Sequence, residues 1–480
     1  MMDRRKGIPF GSQLRKAPSQ VTALLREAKA LKAAGRLDDA LALNLQAVRM
    51  EPDNGVAEHN LAATLGDLSR FAEAVEAASR AIAKGLDAPE TWLVLARALQ
   101  GVGRLDEADG AFRAALARRP GYVDAHRDLA QLRWMRTGEM AAATSALDDV
   151  LARSPTPELT LVKARILRCA GNDIGAAAVL AAGLASWPDM PMLSIAAAQV
   201  AATTGESETQ LAHATAALRT APHSPDAARA AIEALLHLGR AREAEQLALR
   251  LLATAPADQG VLALLATAWR LLGDPRYEEL CNTDLLISST PIDAPTGWAT
   301  REAFLVALSA ALRELHVWRT HPLDQSVRHG SQTQQDLTRS EAPVIQALFR
   351  ALDAPIRRHI DALGEGRDPV RARRGNGYRI IGAWSVLLQP GGRHVDHVHP
   401  QGWISSAFHV ELPPAIGCGH EGWLAFGRPG VPTRPILPPT HHVRPEPGHL
   451  VLFPSYFWHG TEQFGGDAPR LTVAFDILPC

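Results

Sequence analysis

A period of thirty-four residues runs through the first half of this chain and constrains its fold more than any other feature. Glycine marks it at Gly35, Gly103, Gly171, Gly205, Gly239 and Gly273, with Ser69 and Thr137 in the two gaps. Five residues after most marks stands an alanine: Ala40, Ala74, Ala108, Ala142, Ala176 and Ala244, broken at Gln210 and Glu278. Seventeen after most stands a proline: Pro52, Pro120, Pro188, Pro222 and Pro256, with Pro155 displaced by one. Within a unit, over residues 24–31 and 40–48, apolar residues recur at three- and four-residue steps, the spacing of one helix face. Each column then has a physical task. Glycine ends one helix and opens a tight turn, because it takes a positive φ with no Cβ to clash. Alanine lets two helices approach closely, and proline ends the second helix and starts the next unit. The period predicts stacked helix–turn–helix units, about eight over residues 20–285, with irregular end units as caps.

The segments Ala34-Gly35-Arg36-Leu37-Asp38-Asp39-Ala40 and Val102-Gly103-Arg104-Leu105-Asp106-Glu107-Ala108 carry this pattern most fully. They resemble the tetratricopeptide repeat. That resemblance implies a concave surface that binds a protein or peptide partner, self-association and spacing being the other uses of such solenoids.

Charge excludes two other partner classes. Lys+Arg is 50 against Asp+Glu 51 in 480 residues, so a general polycation for nucleic acid is not expected, nor is an acidic tail. Four cysteines (Cys169, Cys281, Cys418, Cys480) stand far apart with no CxxC, which argues against a disulfide framework and a thiolate zinc site. Residues 1–19 read as a flexible tail. Arg4-Arg5-Lys6 and Arg15-Lys16 within it are basic, but they are short, lack interleaved aromatics and precede no apolar secretion signal. No run of about 18 apolar residues occurs, so a membrane span is not expected and the cytoplasm is the expected compartment.

Histidine is distributed unevenly: 13 of the 18 follow residue 300, where no lysine occurs at all. Residues 286–300 break the period and read as a linker. A helix is expected over 301–315, a polar stretch over 324–333 and a second helix over 342–363. From 378 the pattern changes to short β-type runs at 378–388, 404–412, 423–426, 450–453 and 471–478, with turns at Pro390-Gly391-Gly392 and Pro447-Gly448. Several short strands after a helical preface predict an antiparallel sandwich or jelly roll.

The chemistry lies on these strands, in Arg393-His394-Val395-Asp396-His397-Val398-His399-Pro400. Residues i and i+2 of an extended segment face the same way. His397 and His399 can therefore reach one ion together, and so can His394 and Asp396. His459 is a third candidate ligand, sixty residues on. Imidazole and carboxylate with open positions suit non-haem Fe(II). Arg470, eleven residues past His459, can clamp a carboxylate bidentately, with Thr472 on the same face of its strand.

A His-x-His/Asp turn, a distal histidine and an arginine about ten residues later resemble the Fe(II)/2-oxoglutarate-dependent oxygenases. More narrowly, His397-Val398-His399-Pro400, Ser405-Ser406-Ala407-Phe408-His409, Phe453-Pro454-Ser455 with His459, and Arg470-Leu471-Thr472 resemble one oxygenase group, as does the upstream segment 325–333. The resemblance covers roughly 300–480 and implies a double-stranded β-helix (jelly-roll, cupin-like) domain at 301–480. The whole chain is then an α+β multidomain protein, an all-α solenoid followed by this barrel. It further implies Fe(II) held by His397, His399 and His459, or by the alternative pair His394 and Asp396 with His459. Arg470 and Thr472 would bind 2-oxoglutarate, with no catalytic side chain beyond the metal centre. Dioxygen would turn 2-oxoglutarate into succinate and CO₂ while a C–H bond of a protein or peptide substrate is hydroxylated. In that group two tyrosines usually stand where this chain has Phe408-His409.

Blander readings stand beside these. His409, His420, His441, His442 and His449 read as surface or structural groups. Trp384, Trp403, Trp423 and Trp458 read as core or pocket-wall packing. The chain as a whole also fits a non-enzymatic adaptor with a decayed oxygenase fold, or a cupin-type metal enzyme that does not use 2-oxoglutarate.

Overall fold

The computed structural model describes residues 19–416 and 419–480. The basic stretches Arg4-Arg5-Lys6 and Arg15-Lys16, with nearly all of the expected tail, lie outside the described residues, as does Cys418. Fifteen helices of similar length follow one another from Gln20 to Leu272, and the eighth unit closes with a short helix, Arg276–Leu280. The glycine column does what its backbone freedom suggests: Gly35, Gly103, Gly171, Gly205, Gly239 and Gly273 all take a positive φ between 64° and 82°. Ser69 adopts the same left-handed turn at φ 59° despite its Cβ.

The other gap resolves differently. The helix Val123–Thr137 runs one residue longer than its counterparts would, and Gly138 (φ 73°) makes the turn. Five residues on, Ala143 rather than Ala142 is buried, and seventeen on stands Pro155. The fourth unit is therefore shifted by one residue as a whole, and the displaced proline is in register.

The chain divides into two compact units, Met1–Arg118 and Arg119–Cys480. The linker expected at 286–300 lies inside the second unit. The reason is a run of anchors between the later repeats and the C-terminal domain. The Trp458 indole N–H lies 3.0 Å from Thr267 Oγ1 and 3.2 Å from the Ala263 carbonyl. The Tyr456 hydroxyl donates to the Leu280 carbonyl at 2.8 Å, and Arg270 donates to the carbonyls of Gly427 and Pro438, each at 2.8 Å. Leu262 and Ala266 share one apolar cluster with Phe426 and Tyr456.

The expected linker holds a strand. β1 (Ser288–Pro291) pairs antiparallel with β7 (His449–Pro454) at the end of the sheet. A four-residue edge strand ending in proline carries no alternation, so its pairing is supplied by the open edge of β7. Beyond the helix Arg301–Arg313, the polar stretch likewise forms β2 (Val327–Gln332), and the helix Pro343–Leu363 follows. The remaining strands are β3 (Tyr378–His397), β4 (Ile404–Glu411), β5 (Leu424–Phe426), β6 (His441–Val443), β8 (His459–Thr461) and β9 (Arg470–Pro479).

Among the described residues these nine strands form one antiparallel sheet in the order β1-β7-β4-β9-β3-β8-β5-β6, with β2 on β3, and the sheet curls into a nearly closed jelly-roll barrel. Pro390-Gly391-Gly392 is a bulge inside the long β3, not a turn. Leu388 pairs with Gly330 and Arg393 with Arg328, so the extra residues loop out where Gly391 takes φ 82°. Phe408, Phe453, Val473 and Phe475 fill the core together with Phe304, Leu308, Leu348 and Leu352 of the two helices. No helix of the described residues is long and apolar enough to cross a membrane.

Candidate metal centre

His397 ends β3 and is the register partner of His459, which begins β8. Two residues further, His399 leaves the strand but is held by its backbone N–H, which donates to the Ser455 carbonyl at 2.9 Å. A Cβ at Gly402 would collide with the Ser455 hydroxyl, so only glycine lets this loop pack so closely. Alternation within an extended segment thus delivers two imidazoles to one point, and strand pairing delivers the third. One ligand atom from each of the three rings lies within 4.8 Å of the others. Ring centroids stand 4.2 Å apart for His397–His459 and 5.1 Å for His399 with each of the other two.

Each ring spends its Nδ1–H on an acceptor. His397 donates to the Val395 carbonyl at 2.8 Å and His459 to the Phe457 carbonyl at 2.9 Å. His399 donates to the Asp476 carboxylate, at 2.7 and 2.8 Å from its two oxygens. That leaves the Nε2 atom of each ring for a ligand role. Two of them, on His397 and His399, face each other at 3.1 Å. Lone pairs so placed repel unless a cation lies between them. Two metal–nitrogen bonds of about 2.1 Å at right angles span about 3.0 Å, so the donor set fits a first-row transition ion. Burial and the neighbouring His399 hold His397 down to about 3, and burial with His397 and His399 holds His459 well below the ordinary histidine range. His397 and His459 are therefore neutral, as ligands must be.

The structure does not bring Asp396 to this point. Its carboxylate accepts from Arg428 at 2.6 Å, and Arg428 also holds Glu462 at 3.0 Å. Burial nevertheless raises the Asp396 pKa. His394 stacks on His397 with centroids 6.0 Å apart, and its Nδ1 bonds the Ser326 hydroxyl at 2.9 Å.

Arg470 begins β9 and is 2% exposed, with no carboxylate among its partners. Its Nη1 donates to Thr461 Oγ1 at 3.0 Å, its Nη2 to His409 Nδ1 at 3.4 Å, and its Nε has no partner. Burial lowers its pKa to about 10, still charged at neutral pH. A buried cation short of one anion is a ready site for a ligand carboxylate. Arg470, Thr472, Ala474 and Asp476, alternate residues of β9, all line the cavity of about 730 Å³ that holds the histidine triad. Trp384 forms part of its wall, stacked 5.9 Å from His399.

One of these contributors, Asp476, went unnoticed in the sequence. Asp476 continues the Arg470–Thr472 face by the same two-residue step, which is the signal that would have found it. His409, read as a surface or structural group, is the structural case: it is fully buried against Arg470, where burial and that charge keep it neutral. Trp458 does not line the cavity; it anchors the barrel on the repeats.

Residues 382–476 match the family model described as "Putative 2OG-Fe(II) oxygenase", and residues 93–158 match that described as "Tetratricopeptide repeat". No curated protein matches the chain. Similar solved structures include a tetratricopeptide repeat protein from Parabacteroides merdae, at 15% identity over 52% of this chain and 98% of that one, with a TM-score of 0.36. The first such repeat domain of Spaghetti bound to an HSP90 peptide shares 20% identity over 24% of this chain and 90% of its own, with a TM-score of 0.23. An O-GlcNAc transferase mutant from Thermobaculum terrenum shares 22% over 28% and 26%, with a TM-score of 0.26.

Proposed function

We propose that the barrel is an Fe(II)- and 2-oxoglutarate-dependent oxygenase that hydroxylates a protein or peptide recruited by the repeats. The solenoid at 20–285 serves as recruiter and residues 301–480 as the catalytic domain. The observation that carries this reading is the locked tautomer of all three rings: every Nδ1–H is taken up, so His397, His399 and His459 present Nε2 to one point. Those three residues would hold the iron. Bound together with 2-oxoglutarate and dioxygen, the metal supplies oxidation of a C–H bond to an alcohol, the cosubstrate leaving as succinate and CO₂.

The rest is the work of the chain. Arg470 offers a desolvated guanidinium to the far carboxylate of the cosubstrate, and Thr461 fixes one arm of that fork. Thr472, on the same strand face, adds a hydroxyl. Asp476 fixes the His399 ring and its tautomer. Phe453, 4.5 Å from His459, and Trp384 shield the metal side of the cavity from water. Succinate formation from 2-oxoglutarate and Fe(II), compared between wild type and His459→Ala, tests the assignment: turnover should vanish in the variant, and equal turnover would sink it.

One observation favours a second reading. The cluster holds three imidazoles and no carboxylate, a donor set that also suits a cupin-type dioxygenase working without 2-oxoglutarate. Turnover that survives Arg470→Ala would select it.

A further inference from the structure

The cavity does not end at the barrel. Its mouth is lined by Arg165, Arg168 and Cys169 of the repeat helix Pro157–Cys169, by Asp324 just before β2 and by Arg328 within it. Arg165 also lines a second cavity, of about 280 Å³, on the first helices of the next repeats, where Ile195, Gln199, Arg229 and Glu233 form the wall. One exposed arginine therefore belongs to both hollows, so a groove on the repeats runs into the reaction chamber.

The charge at this junction has a sign. No ion pair or hydrogen bond joins the Arg165 or Arg168 side chain to another described residue. Arg328 is tied only to the Gln325 and Val327 carbonyls, at 2.6 and 2.8 Å, which aim its guanidinium without neutralising it. Burial, together with the like charges of Arg393 and Arg168, disfavours its charged form, which is how crowded cations behave when their counter-ion is absent. Asp324 is the one acid at this rim, and it accepts from the Cys169 thiol at 3.0 Å. At the mouth itself three cations face one acid, and Glu233 in the adjoining groove is the further acid whose charge Arg168 meets.

We infer that this mouth selects an acidic peptide segment, with an aspartate or glutamate flanking the residue that enters the cavity, held by Arg165, Arg168 and Arg328. The inference names the substrate class of the proposed oxygenase and rests on that reading for its catalytic meaning; the binding itself does not need iron. A protein substrate would lie along the groove through Ile195 and Gln199, with its acidic residue at the junction.

The test is peptide binding to the full chain without metal or 2-oxoglutarate, read by fluorescence anisotropy. The probes are fluorescein-labelled decapeptides of alanine and serine carrying four glutamates, four glutamines or four lysines. The glutamate peptide should bind about ten-fold more tightly than the glutamine peptide, as two exposed charge pairs allow, and the preference should fade with salt. Arg165→Glu/Arg168→Glu should reverse it in favour of the lysine peptide, a result that a merely misfolded variant cannot give. Equal binding of the three peptides, no binding at all, or an unchanged preference in the double variant would overturn the inference. Failure of the oxygenase reading would appear instead as absent succinate with peptide binding intact.

Discussion

His399 and Asp476 share two short contacts, 2.7 and 2.8 Å from Nδ1 to the carboxylate oxygens, and Asp476 Oδ1 also accepts from the Ser405 hydroxyl at 2.7 Å. The carboxylate absent from the candidate ligand set therefore stands one bond behind one of its histidines. Such a partner fixes the ring and makes Nε2 a stronger donor. Asp476→Asn keeps the shape and removes the charge. Metal affinity should fall about 10- to 100-fold, measured by Co(II) titration through its visible absorption, with the circular dichroism spectrum unchanged. An unchanged dissociation constant would reduce Asp476 to a packing residue.

Arg470 is the opposite case, a buried cation with no carboxylate partner among the described residues. Arg470→Met removes a charge-assisted fork, so 2-oxoglutarate binding should weaken roughly 10- to 100-fold, read by quenching of tryptophan fluorescence. The same change removes a buried guanidinium with an unpartnered Nε, so the melting temperature of the ligand-free protein should hold steady or rise. A sharp drop in melting temperature with unaltered cosubstrate binding would make Arg470 structural.

Where the sequence repeats or alternates, it could be read. The 34-residue columns placed the helices, and the two-residue step placed His397 beside His399. What could not be read depends on partners far along the chain. β1 exists because β7 offers it an edge, and nothing in Ser288-Ser289-Thr290-Pro291 announces that. The one-residue shift of the fourth unit hides because Thr137 and Ala142 fill the expected slots with acceptable residues, while Gly138 and Ala143 do the work. Arg165 and Arg168 lie more than 200 residues from the histidines with which they line one cavity, and no periodicity links a helix face to a strand of another fold. That His409 is the structural and not the surface case was not legible, because a histidine between apolar residues looks alike whether it meets solvent or an arginine.

Acid should destabilise the second unit. His359 sits 6% exposed with its Nδ1 on the Ser288 hydroxyl at 2.8 Å, and burial lowers its pKa from 6.5 to about 4; His321 is lowered similarly, by burial and then by Arg328 and His329. The folded protein keeps these rings neutral while the unfolded chain protonates them below pH 6.5. Their contribution is therefore complete above that pH and is lost as the pH falls towards 4. Each can steepen the dependence by up to about 1.4 kcal/mol per pH unit in that window. Urea unfolding at pH 7.5, 5.5 and 4.5 should show His359→Leu with a shallower pH slope than wild type. The wild-type slope retained in that variant would place the acid sensitivity elsewhere.

Ser69 offers a test of the repeat itself. It is the one residue of the glycine column that takes the left-handed turn with a side chain, at φ 59°, a conformation that costs an ordinary residue about 1 kcal/mol relative to glycine. The turn closes the helix Gly55–Asp67 and precedes Phe71–Ala83. Ser69→Gly relieves that strain but also loosens the unfolded chain, which returns part of the gain. The net should be a stabilisation of a few tenths to about 1 kcal/mol, seen as slower hydrogen exchange in those two helices. Gly35→Ala, at φ 76° with open space around its Cα, should do the reverse in the first unit, because the penalty there is backbone conformation alone. If both substitutions shift exchange in the same direction, the left-handed turn is not what selects glycine in this column.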